Sequence, residues 1–199
     1  MADVFAEAGL PPGVVNIVTG FGHEIGDALV THPDVAKIAF TGGDATGAIV
    51  YQAAAKHIKP VTMELGGKSA NIVFADANLD NAVKGVVSGI FAATGQTCVA
   101  GSRALIHRSI HDEFVERFLK LARTARMGNP LEETTQVGPI TTRPQYEKVL
   151  GYIELAKTQG ARCVLGGGPA KDPSLGDGWF VEPTVFTNVA PETRIAQEE

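Results

Sequence analysis

The chain has two cysteines, Cys98 and Cys163, and they stand in opposite surroundings. Cys98 lies in "GQTCVAGSR" (95–103), a Gly/Thr/Ser-rich break with too little apolar bulk to bury a thiol. The thiolate is the reactive form, and a free thiol is mostly protonated at neutral pH. A nucleophilic Cys98 therefore needs a niche of hydrogen-bond donors or positive charge, and a loop directly after a helix can supply backbone N–H groups. The plainer reading is a partly packed loop cysteine without a chemical role. Cys163 sits in the strand-like "ARCVLGG", where cysteine acts as a small buried hydrophobe, and no role is assigned to it.

A carboxylate comes next. Glu64 in "MELGGK" (63–68) ends an apolar run and is followed at once by Gly66 and Gly67. At the C-terminal end of a parallel strand it would point into the crevice where open α/β sheets bind ligands, and the glycines would let backbone approach closely. The alternative is a solvated turn glutamate. "FTGGDATG" (40–47) reads as a strand running through a glycine turn into a helix. Helix N-terminal N–H groups attract phosphate, and Gly42, Gly43 and Gly47 would clear the way. The spacing lacks the lysine of a P-loop, and "GFGHEIG" (20–26) has one residue too many for the dinucleotide fingerprint. His107 and His111 straddle a strand-to-helix joint without a third ligand, so no metal is expected. No Gly-x-Ser-x-Gly elbow occurs.

The elements that must hold these residues alternate. "VVNIVTG" (14–20), "AKIAFTGG" (36–43) and "KPVTMELGG" (59–67) read as strands ending in glycine turns, with helices predicted at 23–32 and 44–57. That rhythm is a parallel sheet covered by helices. After residue 68 a second α/β unit follows. Strands are predicted in 69–75 and 103–108, and helices in 78–93, 112–127 and 145–160. Two further strands fall in "ARCVLGGG" and "FVEPTVFTNV". Leu79, Val83, Val86, Val87, Ile90 and Phe91 form one stripe of the 78–93 helix. Gly160 marks a helix stop.

Composition bounds the rest. The chain has 199 residues, 44% hydrophobic and 20% charged, enough apolar matter for a core. A net charge of −5 without a dense Lys/Arg run argues against nucleic acid and anionic membrane as partners. No apolar run approaches the ~20 residues of a membrane span, and no basic-then-apolar signal opens the chain. Two distant cysteines make no disulfide framework, so a cytoplasmic location is the default expectation.

Taken in order, "GLPPGVVNIVTGFG", "FTGG…G", "ELGGKSANIVFADANLD", "GQTCVAGSR", "DEFVERF" and "RIAQEE" resemble the aldehyde dehydrogenase superfamily, in register along essentially the whole chain. "ELGGKS" followed about thirty residues later by "GQxC" is the most specific part. The resemblance implies an α/β fold, with 1–68 the second half of a Rossmann-like NAD(P)-binding domain and 69–199 most of the catalytic domain. It implies oxidation of a small-molecule aldehyde to the acid, with NAD or NADP as cofactor. Cys98 matches the nucleophile, which passes through a thiohemiacetal and a thioester. Glu64 matches the general base for hydrolysis. Gly42, Gly43 and Gly47 match the pyrophosphate-side turn, with Phe40 and Thr41 on the same edge. Gly43 stands where the family commonly has serine. Gly20 matches a position near the adenosine end, Leu65 and Gly66 positions beside the nicotinamide, and Glu199 the glutamate that holds the nicotinamide ribose. Asn71 matches a structural position, not the oxyanion asparagine.

Only the middle of a family member is represented. The Pro-Trp-Asn segment, the lysine for the adenosine ribose, the first βαβ half of the cofactor domain and the strands of subunit contact have no counterpart. The expectation is a partial chain of a homo-oligomeric enzyme, inactive in isolation. The rival readings are a non-catalytic fragment or degenerate scaffold without cofactor turnover, and a cofactor-free esterase or thioester-forming activity of Cys98.

Overall fold

A computed structural model describes residues 1–199. The chain divides into two compact units, Met1–Leu65 and Gly66–Glu199.

The first unit opens with helix α1 (Ala2–Glu7) and reaches α2 (Asp27–Thr31) through a π-helical turn at Gly22–Gly26. Strand β1 (Ile38–Thr41), helix α3 (Asp44–Ala55) and strand β2 (Val61–Glu64) then form a βαβ unit whose strands pair in parallel, Thr41 opposite Glu64. The Lys59 ammonium donates to the carbonyl of Val30 at 2.9 Å. A cation there suits the negative end of α2. The strand expected at 14–20 does not form: no strand pairs with it, and Val14, Val15, Ile17 and Val18 are exposed. Its β-branched residues favour extended backbone, but a ladder needs a partner.

In the second unit, β3 (Ala70–Val73) pairs in parallel with β4 (Arg103–Ile106), and α4 (Leu79–Phe91) lies between them in sequence. The Asn78 side chain caps α4 by accepting from the Asn81 N–H at 3.0 Å. The apolar stripe of α4 meets α5 (His111–Ala122) in a core of Val73, Val83, Val86, Phe114, Phe118 and Ala122. Phe114, 2% exposed, contributes about 1.5–3 kcal/mol by burial. Arg117 ties the two helices, reaching Asp80 at 2.6 Å while also holding Glu113.

α5 stops at Ala122, short of the expected 127. The Arg126 N–H is taken by the Gln136 side chain, and its carbonyl by the Gln136 and Val137 amides, so these groups are not free to continue a helix. Helix α6 (Arg143–Thr158) starts at the Thr142 cap and ends in a Schellman turn: Gly160 has φ +88° and its N–H bonds the Lys157 carbonyl, while Ala161 bonds Ala156. β5 (Arg162–Leu165) and β6 (Val185–Thr187) pair antiparallel. β6 is shorter than the run 180–189 suggests, since Pro183 has no N–H to donate. Ile140, Ile153 and Val181 form a second apolar cluster. A four-residue helix, α7 (Arg194–Gln197), lies near the end of the chain and has no counterpart in the sequence reading.

Candidate functional site

The path to Cys98 is set by three consecutive residues in the left-handed region. Ala93, Thr94 and Gly95 have φ of +48°, +59° and +71°. For Thr94 this conformation is an outlier, because a β-branched side chain crowds its own backbone. The turn is held from outside. The Thr94 hydroxyl donates to the Gly138 carbonyl at 3.3 Å, and Gln96 Oε1 accepts from the N–H and hydroxyl of Thr141 at 3.2 and 3.1 Å. Beyond Cys98, the Asn71 amide donates to the Gly101 carbonyl at 2.9 Å, and the Gly101 N–H bonds the Gly89 carbonyl of α4 at 3.1 Å. A Cβ at Gly101 would overlap the Asn71 amide, so a side chain there would displace Asn71 or the loop. Cys98 itself is exposed in the turn closed by Ala100 N–H to Thr97 C=O at 3.0 Å. An accessible thiol thus sits on a loop pinned at both ends. Cys163 differs: it is half-buried, and its Sγ lies 3.3 Å from the Leu165 carbonyl.

Thr97 and Ala100, on either side of Cys98, line a cavity of about 750 Å³ that also touches Lys68, Phe114, Ile153 and Glu199. The Lys68 pKa is lowered, first by burial; Glu199 opposes that shift, and Arg103 and Lys148 add to it.

In the first unit, alternation along β1 and β2 puts Phe40 and Met63 on one face, and Thr41 and Glu64, both exposed, side by side on the other. Glu64 therefore ends its strand with a free, solvent-facing carboxylate position. The three glycines of the turn differ. A Cβ at Gly42 would meet the Phe40 ring at 2.6 Å, and one at Gly47 the Leu65 side chain at 2.8 Å. Those two are glycine because Phe40 and Leu65 fill the space. Gly43 alone faces open space, and no side chain caps α3. Gly20 packs against Ile25.

The last residue meets the glycine pair. Glu199 Oε2 accepts from the Gly67 N–H at 2.6 Å, and a Cβ at Gly66 would overlap that carboxylate. Gly66 and Glu199 are thus brought together within one unit, whereas Glu64 and Cys98 fall in different units. Sequence reasoning marks Asn71 only as structural and does not reach Gln96, Thr141, Tyr152, Arg194 or Glu198. Of these only Arg194 and Glu198 carried a local signal, opposite charges four apart.

A family model described as "Aldehyde dehydrogenase family" matches residues 1–199. The betaine aldehyde dehydrogenase of Brucella anthropi is 46% identical over 199 residues, all of this chain and 41% of that protein. A peroxisomal aminoaldehyde dehydrogenase 1 of Malus domestica is 47% identical over 199 residues, 39% of its length. The crystal structure of PnpE from Pseudomonas sp. WBC-3 superposes with a TM-score of 0.96 at 46% identity, covering all of this chain and 40% of that one. PnpE has also been solved with nicotinamide adenine dinucleotide. The chain thus spans about 40% of the length of the curated relatives it matches.

Proposed function

Because the chain belongs to the aldehyde dehydrogenase family, we propose that it supplies the cysteine-bearing part of an enzyme that oxidises an aldehyde to the carboxylic acid with NAD or NADP. The observation that carries this reading is the exposed Cys98 thiol on a loop pinned by Asn71 and Gln96. Residues 1–68 act as part of the cofactor domain and 69–199 as the catalytic domain.

The residues present fit a dinucleotide. The α3 N-terminus is uncapped and Gly43 is open, as a pyrophosphate requires. Phe40, Thr41, Gly42 and Gly47 would shape that turn, Gly20 would serve the adenosine end, Leu65 and Gly66 would flank the nicotinamide, and Glu199 would hold its ribose. When bound, the nicotinamide supplies a hydride acceptor. The Cys98 thiolate attacks the aldehyde carbon, forming a C–S bond and a thiohemiacetal oxyanion. With its hydride given up to that acceptor, the carbon would remain bonded to Cys98 as a thioester. Glu64 takes a proton from water as its oxygen attacks the acyl carbon, and the C–S bond breaks to release acid and thiolate. Two free cysteines suit a reducing compartment such as the cytosol.

The test is pre-steady-state kinetics with NAD and NADP, starting from betaine aldehyde and aminoaldehydes. Glu64→Gln is expected to retain a first-turnover burst of reduced cofactor and to lose the steady state. Equal loss of both removes Glu64 from deacylation. Absence of any cofactor binding by the intact protein removes the dehydrogenase reading and leaves the scaffold.

A further inference from the structure

A four-residue helix has no stability of its own, because its few hydrogen bonds do not offset nucleation. α7 must therefore be held by its surroundings, and three side chains do so. The Arg194 guanidinium grips the Glu198 carboxylate one turn later, Nε at 2.9 and 3.0 Å from its two oxygens and Nη2 at 2.8 Å from Oε2. The Tyr152 hydroxyl, from α6, donates to the same Oε2 at 2.5 Å. Arg194 also lies over the Tyr152 ring, 5.5 Å from its centroid. Lys148 approaches the same ring at 5.9 Å. The cluster thus joins α7 to α6 through one phenol.

The geometry downstream shows what this joint is placed to do. Glu198 is extended (φ −110°, ψ 145°), so the chain leaves α7 there and Glu199 projects away from it. Its carboxylate ends on the Gly67 N–H, in the space that Gly66 leaves by having no side chain. We propose that Tyr152, Arg194 and Glu198 form a positioning latch that seats α7 on α6 and thereby delivers the Glu199 carboxylate to the Gly66–Gly67 pair. The glycine pair is then the receiver of a carboxylate as well as a clear path for a ligand. On this proposal the three latch residues act through Glu199. The consequence for cofactor affinity rests on the ribose role proposed above for Glu199. The latch itself does not.

The experiment has two arms on the purified protein. The first reads amide hydrogen exchange at Gly67 without cofactor, in wild type, Glu199→Gln, Tyr152→Phe, Arg194→Lys and Glu198→Gln. Tyr152→Phe keeps the ring and loses only the hydroxyl. Arg194→Lys keeps the charge and loses the fork. The expected result is exchange up to about tenfold faster in Glu199→Gln, whose amide oxygen can still accept but without the charge that strengthens the bond. A part of that acceleration is expected in each latch variant. None is expected in Arg143→Ala, which breaks a matched Arg–Glu pair on α6. Wild-type Gly67 exchange in all three latch variants overturns the proposal. The second arm titrates NAD by calorimetry, with up to about tenfold weaker binding expected in the latch variants. Unchanged affinity in variants whose Gly67 amide has been freed overturns the link to the cofactor. No binding by wild type, with Gly67 still responding, supports the latch and overturns the ribose role of Glu199 in this chain instead.

Discussion

The loop around Cys98 and strand β5 around Cys163 hold the same side chain in two different ways. At Cys98 the fold spends its hydrogen bonds on the flanks. Gln96 is tied to Thr141 and Gly101 to Asn71, and the thiol is left exposed. At Cys163 the thiol itself is engaged, half-buried with carbonyls of its own turn at 3.3 and 3.6 Å. Fixing the neighbours while leaving the sulfur free is what a positioned nucleophile needs. Fixing the sulfur is what a packing residue needs. The contrast lies in tertiary ties, not in the cysteines.

Substitution of the two thiols breaks the comparison most directly and carries the largest expected effect. In a full-length enzyme that carries this segment, Cys98→Ala should lower aldehyde turnover by about 10⁴-fold or more, as removal of a covalent nucleophile does. Cys163→Ala should leave most of it. Steady-state rates check this, together with native alkylation followed by peptide mass spectrometry. Equal labelling of the two thiols would count against the distinction.

Glycine substitutions sharpen it further. Gly101→Ala drives a methyl group into the Asn71 amide, so the Asn71 tie or the loop it holds has to shift. A misplacement of ~1 Å can cost about 10²-fold in rate. Turnover should therefore fall by that order while the urea midpoint changes little. Gly167→Ala is the counterpart just beyond β5. Its φ is +102°, and the new Cβ would lie 2.8 Å from Cys163 Sγ. That is overpacking at a strained backbone position, worth about 1–3 kcal/mol. Stability should drop there and turnover per folded molecule should not. An exchange of these two phenotypes would reverse the assignment.

The regular elements were legible where the signal is local. The apolar stripe of α4, the Gly160 stop and the strand-to-helix joint at Gly42–Gly43 lie within single windows of sequence, and each appears in the structure. The 14–20 run departs from its expected strand for the complementary reason. Its composition is strand-like, but a strand is defined by its neighbour. The ties that frame the candidate site span 30 residues from Asn71 to Gly101, 45 from Gln96 to Thr141 and 46 from Tyr152 to Glu198. No periodicity or spacing rule reaches across such separations. The role of Gly66 is of this kind too: the sequence shows a glycine, and only the fold shows the carboxylate beside it.

The smallest effect separates the cysteine regions from the latch by pH. The ties at the Cys98 loop are amides and hydroxyls, from Asn71, Gln96, Thr94 and Thr141, and none of them titrates in acid. The latch does depend on a carboxylate. Arg194 first, then the Tyr152 hydroxyl, holds the Glu198 carboxyl down at about 2, with Lys148 adding a smaller push in the same direction. A depressed carboxylate stabilises the folded state fully above its ordinary pKa of 4.5, and that contribution is lost as pH falls through about 2. On the alkaline side the Tyr152 pKa is raised, chiefly by its hydrogen bond to Glu198 and next by burial. Its contribution is therefore present below 10.0 and is lost as pH rises through the higher folded value. Carbon-detected NMR of the Glu198 carboxyl should give a midpoint near 2. The midpoint should move up on Tyr152→Phe and further on Arg194→Ala, since the guanidinium is the larger cause. Over the same acid window the Gly101 amide should keep its protection until global unfolding. A Glu198 midpoint at the ordinary carboxylate value would mean that the Arg194–Glu198–Tyr152 contacts do not persist in solution. A parallel loss of Gly101 protection would mean that the loop and the latch are one cooperative unit rather than two.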